Sequence, residues 1–407
     1  MSAEQSRLPG GLRAFAHRDF RVFFAGQLVS LVGTWMQSVA QSWLVLELTN
    51  SPFKLGLIGT LQFAPVLLFS VFTGALADRL PKRRVLLFTQ ISIAYLALIL
   101  GVLVRFGHVE YWHVCVLALL LGCVNTVDMP TRQSFVAELV GKADIVNAVA
   151  LNSAAFNTAR IIGPVVAGLL IARFGVDMAF LLNALSFTVV IFALLRMRTE
   201  GAPRVARGRS MLADVGEGLR YALSVRRIRL LLMLLFVVSL TVFNFSVYVP
   251  LLARTVLRVD AAGFGFLMAA VGVGAVTGAL TLGNLRQPQL ALPLVLAAGF
   301  VACGGLIAMS AVTNFWVALA MLFVIGMSSI ILVASCNTAL QLAAPDALRG
   351  RVMSLYTLIF GGTFPFGSFM VGWISERASV STAYLGAGIS GVAALALITL
   401  WWRSDPE

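Results

Sequence analysis

Asp128 and Arg132 stand four positions apart with Pro130 between them, inside an apolar run spanning residues 112–137. At that spacing the carboxylate and the guanidinium share one helical face, and a charge held at membrane depth is costly enough to suggest a function. Protonation of Asp128 would release Arg132, a charge switch that a moving proton could work. The other reading is a static pair, of Asp128 with Arg132 or with Arg160, that holds neighbouring helices together. Pro130 cannot donate to the Thr126 carbonyl and should bend the helix. A second group of charges follows Gly74: Asp78, Arg79, Lys82, Arg83 and Arg84 connect two apolar runs and cannot lie in hydrocarbon, so they fix one membrane face. Asp78 ends a helix whose last carbonyls already repel a carboxylate, a poor place for it unless cations such as Lys82 and Arg83 meet it. Glu138 lies ten residues past Asp128, which puts Asp128 about 15 Å deeper along the same helix. Two polar stripes complete the set, Ser30, Thr34, Gln37 and Gln41 in one run and Thr241, Asn244 and Tyr248 in another, flanked by Trp35, Trp43, Phe243 and Phe245.

The elements that must carry these residues are membrane helices. Hydrophobic residues make up 59% of the 407 positions and charged residues 12%, against roughly half and a quarter in soluble domains. A crossing needs about 20 apolar residues. Twelve runs qualify, near residues 20–46, 55–77, 85–104, 112–137, 145–172, 177–195, 228–253, 261–283, 290–312, 315–342, 352–374 and 381–402. They are long and continuous, so the expected fold is an all-α membrane protein and not a barrel of alternating strands. Residues 1–19 are polar and the first apolar run is too long for a signal sequence, so no cleavable leader is expected.

Several classes are excluded. The net charge of +13 would suit nucleic acid, but no basic segment is interleaved with exposed aromatics. Most of the 30 Lys and Arg instead fall on one face if the N-terminus is cytoplasmic, as the positive-inside rule requires. Cys115, Cys123, Cys303 and Cys336 lie in apolar runs without paired spacing, so neither a disulfide framework nor a metal site is expected. Gly141-Lys142 lacks the glycine spacing and hydroxyl of an ATP-binding loop. Gly272-Val273-Gly274 lies in an apolar run and reads as a packing face. His17, His108 and His113 lie near loops, and Gly326-Met327-Ser328 lacks the closing glycine of a hydrolase elbow, so no enzyme, catalytic residue or cofactor is expected.

Residues 196–227 form a basic, glycine- and proline-containing interruption between six runs (1–195) and six more (228–407). Within it, Ser210 to Leu223 places Leu212, Val215, Leu219 and Ala222 on one face, an amphipathic helix on the cytoplasmic membrane surface. The halves match when shifted: Gly56 and Gly74 are spaced as Gly265 and Gly283, and Gly163 and Gly168 as Gly367 and Gly372. A twofold repeat of six helices suits a secondary transporter, with solute held midway and exposed to each side in turn.

The stretch Gly74 to Leu86 resembles the signature loop of the major facilitator superfamily, with Pro81 and Lys82 standing where that loop has a glycine and an arginine. Asp128-Met129-Pro130-Thr131-Arg132-Gln133, Asn147 to Ser153, Arg160 to Pro164 and Pro345 to Tyr356 are similar to the enterobactin-exporter and macrolide-efflux-like branch. The resemblance implies two pseudo-symmetric six-helix bundles in the bacterial inner membrane, both termini cytoplasmic, in a monomer whose partners are a small-molecule substrate and membrane lipid. It implies a conformational lock of Gly74, Asp78, Arg79, Lys82, Arg83 and Glu138 reaching the start of the eleventh crossing. It also places the polar stripes, with Asn125 and Asn337, at a central cavity, where aromatic walls suit a bulky amphipathic or aromatic solute; interhelical hydrogen bonding is the plainer reading of the same residues. Gly163, Pro164 and Gly168 are close to an antiporter motif of the fifth crossing. An arginine common in the fourth crossing of drug antiporters is missing, and Arg160 would stand in for it. The expectation is proton-gradient-driven export of a drug or siderophore, with a lysophospholipid flippase on the same fold as the alternative.

Overall fold

The computed structural model describes residues 10–201, 211–284 and 292–404, and the side chains of 10, 70–79, 211–215, 218, 346 and 347 lie outside the described residues. Every regular element among them is helical. After a short 3₁₀ turn (Gly10–Ala16) come α1 (Arg18–Thr49), α2 (Pro52–Arg79), α3 (Lys82–Arg105), α4 (Tyr111–Phe174), α5 (Val176–Arg196), α6 (Met211–Ser224), α7 (Arg226–Thr241) and α8 (Phe245–Leu251). A π-helical turn (Leu252–Val256) precedes α9 (Ala261–Asn284), α10 (Leu292–Met309), α11 (Phe315–Ala343), α12 (Asp346–Gly362), α13 (Phe364–Arg377) and α14 (Val380–Ser404). Helices satisfy their own backbone polar groups, which is what hydrocarbon demands.

Eleven of the described helical stretches are long and apolar enough to cross a membrane. One of them, α4, has 64 residues, about 96 Å at 1.5 Å per residue and enough for two crossings. Gly141 turns out of the helical path with φ 70 and ψ 178, a conformation that glycine adopts at least cost. The fourth and fifth runs are therefore two legs of one element joined at a glycine corner, and the total is the twelve crossings expected.

Three expectations about continuity change. The charged connection from Asp78 to Arg84 is almost all helix: α2 runs to Arg79, α3 begins at Lys82, and only Leu80 and Pro81 lie between. The seventh run, read as one helix, is broken between Thr241 and Phe245, and the eleventh is broken at Thr363. Pro365 opens α13 and Pro250 lies inside α8; proline ends or kinks a helix because its ring clashes and its nitrogen cannot donate.

The chain divides into two compact units, Met1–Leu44 with Leu68–Arg207, and Val45–Leu67 with Gly208–Glu407. In the first unit α3 packs on α4 and α5; in the second α10 packs on α11 and α14. Third with sixth crossing and ninth with twelfth is the same pairing under a shift of six. Glycines repeat the likeness. A methyl group at Gly163 would come within 2.9 Å of the Val32 carbonyl oxygen of α1, and one at Gly367 within 2.7 Å of the Leu240 carbonyl oxygen of α7. The fifth crossing thus approaches the first as the eleventh approaches the seventh. In the second unit α2 and α13 also meet backbone to backbone, since a Cβ on Gly372 would lie 2.9 Å from the Gly56 Cα.

The amphipathic segment is the helix α6, one residue past the expected Ser210, which itself lies outside the described residues. Leu219 and Leu223 are exposed and Ala222 is buried; Leu212 and Val215 have side chains outside the described residues. Glu217 binds Arg351 at 2.5 Å, joining α6 to α12. Large apolar side chains such as Phe88, Tyr95, Phe192, Leu280 and Leu397 face outward, as a surface bathed in lipid tails requires.

Candidate functional site

In the first unit the apolar α3, α4 and α5 pack around Phe23, Phe135, Phe187 and Leu194, and the charged groups are set into that frame. Asp128 is 3% exposed. Its Oδ2 accepts from the Arg132 Nη2 at 2.5 Å and Nε at 3.1 Å, so the pair read from the i, i+4 spacing is present. Its Oδ1 accepts from Thr89 Oγ1 at 2.6 Å and Gln90 Nε2 at 2.8 Å. Four donors thus converge on one carboxylate, two of them from α3. Gln90 turns its buried Oε1 to no donor among the described residues, an acceptor left open beside the carboxylate. Sequence reading missed Thr89 and Gln90, which differ from other polar residues of the third run only in being adjacent.

Arg160 does not pair with Asp128. Its guanidinium carbon stands 5.8 Å from the centre of the Trp35 ring, and Phe156 meets that ring edge-on at 5.6 Å. Gly163, one turn on, leaves the space in which the Trp35 Cβ sits; Pro164 and Gly168 are buried in the same helix. Of the antiporter-like residues, Gly163 thus forms a local seat for α1.

The lock residues divide. Lys82 is fully buried and its Nζ lies 2.6 Å from Glu138 Oε1, joining α3 to α4 as the resemblance implies. Arg83 serves another element: its Nε and Nη2 donate to the Leu194 and Leu195 carbonyls at 2.6 and 2.7 Å, capping the end of α5 where the helix dipole favours a cation. Gly201, with φ +75, lies over the Lys82 pair; a Cβ there would sit 2.8 Å from the Lys82 Cβ and 3.3 Å from Glu138 Oε2. Gly74, Asp78 and Arg79 lie on the helical backbone of α2, with side chains outside the described residues.

The first polar stripe is buried except at Thr34. Ser30, Gln37 and Gln41 are buried; Gln37 Oε1 accepts from Asn183 Nδ2 of α5 at 2.5 Å, while Thr34 is exposed and donates to the Ser30 carbonyl at 2.9 Å. Gln27, one turn earlier, donates to Asn152 Oδ1 at 2.6 Å, an extension of the stripe that the i, i+3 spacing from Ser30 could have revealed. Asn125 is half-buried in α4.

In the second unit Asn244 is fully buried, giving its Nδ2 to the Leu240 carbonyl at 2.8 Å and accepting from Ser368 Oγ at 3.3 Å. It fastens the break between α7 and α8 to α13. Thr241 donates to the Val237 carbonyl at 2.7 Å. Tyr248 is buried and stacked on Tyr384 at 4.5 Å, with neither hydroxyl finding a partner among the described residues. Asn337 accepts from Gln341 at 2.6 Å. Gln37 and Asn244 thus form bonds between helices, the plainer of the two readings of the stripes.

Residues 10–403 match the family described as transmembrane secretion effector. The chain is 28% identical over 400 residues to the enterobactin exporter EntS of Escherichia coli, covering 94% of this chain and 92% of that one. It is 24% identical to the Staphyloferrin A transporter of Staphylococcus aureus, with 91% and 93% covered. It is 25% identical to the multidrug efflux pump Tap of Mycolicibacterium fortuitum, with 90% and 91% covered. Among solved structures, a POT family transporter bound to 5-aminolevulinic acid superimposes with a TM-score of 0.74 at 11% identity, covering 94% of this chain and 96% of that one. A bacterial homologue of the human lysosomal transporter Spinster gives 0.72 at 12%, with 98% and 96% covered. At those identities the two structures speak for the fold alone.

Proposed function

The chain belongs to the transmembrane secretion effector family, a branch of the major facilitator transporters, and on that footing we propose that it exports a bulky amphipathic or aromatic solute, a drug or siderophore, across the bacterial inner membrane by alternating access, driven by the proton gradient. The observation that carries the proton coupling is the buried Asp128 with Arg132 on one oxygen and an open acceptor, Gln90 Oε1, beside it. A proton taken up at Asp128 frees Arg132 and dissolves two of the four bonds between the carboxylate and its surroundings. Lys82 and Glu138 serve as the latch that steadies one state of the cycle, with Asp78 as its third member. The names of the relatives, an enterobactin exporter and a multidrug efflux pump, favour solute export over lysophospholipid flipping.

A susceptibility and uptake screen in a strain stripped of its own effluxers, repeated with a protonophore, finds the solute. Solute-driven proton release is then measured on purified protein. We expect Asp128→Asn to abolish the release while retaining solute binding. Unchanged stoichiometry would make the four-donor cluster a static pin between α3 and α4 and remove Asp128 as the carrier.

A further inference from the structure

Arg160 is a cation at membrane depth with no hydrogen bond and no ion pair among the described residues; the one contact recorded for it is the Trp35 ring. It lies about 27 Å along the helix from Lys142 and about 21 Å from Phe174, so phosphate headgroups at either surface are far from it. A guanidinium carries five donors and cannot shed its charge, and a ring face offsets only a small part of the cost of keeping it there. Such a residue is expected to meet an anion during the cycle. The second donor at the spot is the Trp35 indole N–H, for which no acceptor is found among the described residues. Ser153 and Asn157 share the helical face of Arg160, and Phe156 adds a ring against Trp35. Gly163 holds the arrangement by letting α1 approach.

We propose that Arg160 and Trp35 form the subsite for a carboxylate or similar anionic group of the transported solute, whose aromatic body lies along Trp35 and Phe156. The inference rests on the exporter reading and deepens it: the solute is an aromatic anion, and Arg160 selects it instead of carrying protons.

The test uses the full-length protein in phosphatidylcholine nanodiscs, where no lipid is anionic, with two fluorescent probes, dansylglycine and its uncharged methyl ester. Wild-type protein should bind the acid more tightly than the ester by about tenfold or more, the scale of one charge-assisted hydrogen bond. Arg160→Gln should erase the preference for the acid over the ester, and Arg160→Lys should keep part of it. Arg160→His supplies an independent arm, in which the acid preference returns only as the pH falls and the imidazole gains its charge. Equal affinities in the wild type, no saturable binding of the acid, a preference that survives Arg160→Gln, or one that is independent of pH in Arg160→His would each overturn the subsite. Export is scored apart, as protonophore-sensitive loss from loaded cells of fluorescein, an aromatic anion, and of rhodamine 6G, an aromatic cation. Loss of neither dye in the wild type overturns the exporter reading, whereas equal acid and ester affinities overturn the subsite alone.

Discussion

Lys82 is buried to the last atom with its ammonium against Glu138, and the cost of removing one partner of such a pair exceeds the cost of removing both. Lys82→Met should therefore destabilise the protein by about 3–5 kcal/mol, and Lys82→Met with Glu138→Leu should recover much of that. Thermal melting in detergent measures both; a double variant no better than the single one would mean that the ammonium is not the source of the loss. If the pair is also a latch, the double variant folds but transports poorly. Lys82 and Glu138 were legible only through the family resemblance, which sets the base of the loop against an acid at the end of the fourth crossing, and Asp128 with Arg132 because four residues make about one helical turn. Thr89 and Gln90 were not, because their bonds to Asp128 cross between helices 38 and 39 positions apart. Gln37 and Asn183 failed for the same reason: a polar stripe shows which face is polar, while the partner that occupies it lies 146 positions away.

At the scale of elements, close approaches without side chains decide the packing. Gly372→Val would drive a branched side chain of α13 into the Pro52 carbonyl and Gly56 of α2, whose atoms already lie 2.8 and 2.9 Å from the position of a Cβ. Overpacking of this kind costs about 1–3 kcal/mol. We expect a lower melting temperature and slower export from Gly372→Val, and little effect from the same change at Gly386, where a Cβ meets nothing within 4 Å. Equal behaviour of the two variants would show that the α2 to α13 crossing yields easily. The breaks in the seventh and eleventh crossings were hidden by hydropathy, which sums composition and is blind to dihedral angles. Pro365, just past Thr363, was a visible signal of the second break, but prolines are tolerated inside membrane helices, and Pro250 lies within α8, beyond the first break. Gly141 misled in the opposite sense: Glu138, Lys142 and Asp144 mark a polar gap between the fourth and fifth runs, which the helix bridges with a glycine corner instead of a loop.

For the molecule as a whole, composition alone carried the class and the twelve crossings, because a bilayer imposes one length on every helix. The grouping of the ends of α1 and α2 with the second unit was out of reach, since it depends on contacts such as Gly56 with Gly372. Orientation follows from charge and is open to a direct check. Alkaline phosphatase fused after Phe106 or Val312 should be active, and fused after Gly141 or Ala344 inactive; the reverse pattern would invert the topology. One consequence concerns the order in which the chain is made. Lys82 and Glu138 are both synthesised long before Gly201, the residue that lies over them. A chain halted at Arg196 would hold every helix of the first unit while its central ion pair was still uncovered. The first unit thus closes over its ion pair only as the link to the second begins, and a product stalled before Gly201 lacks that residue's cover.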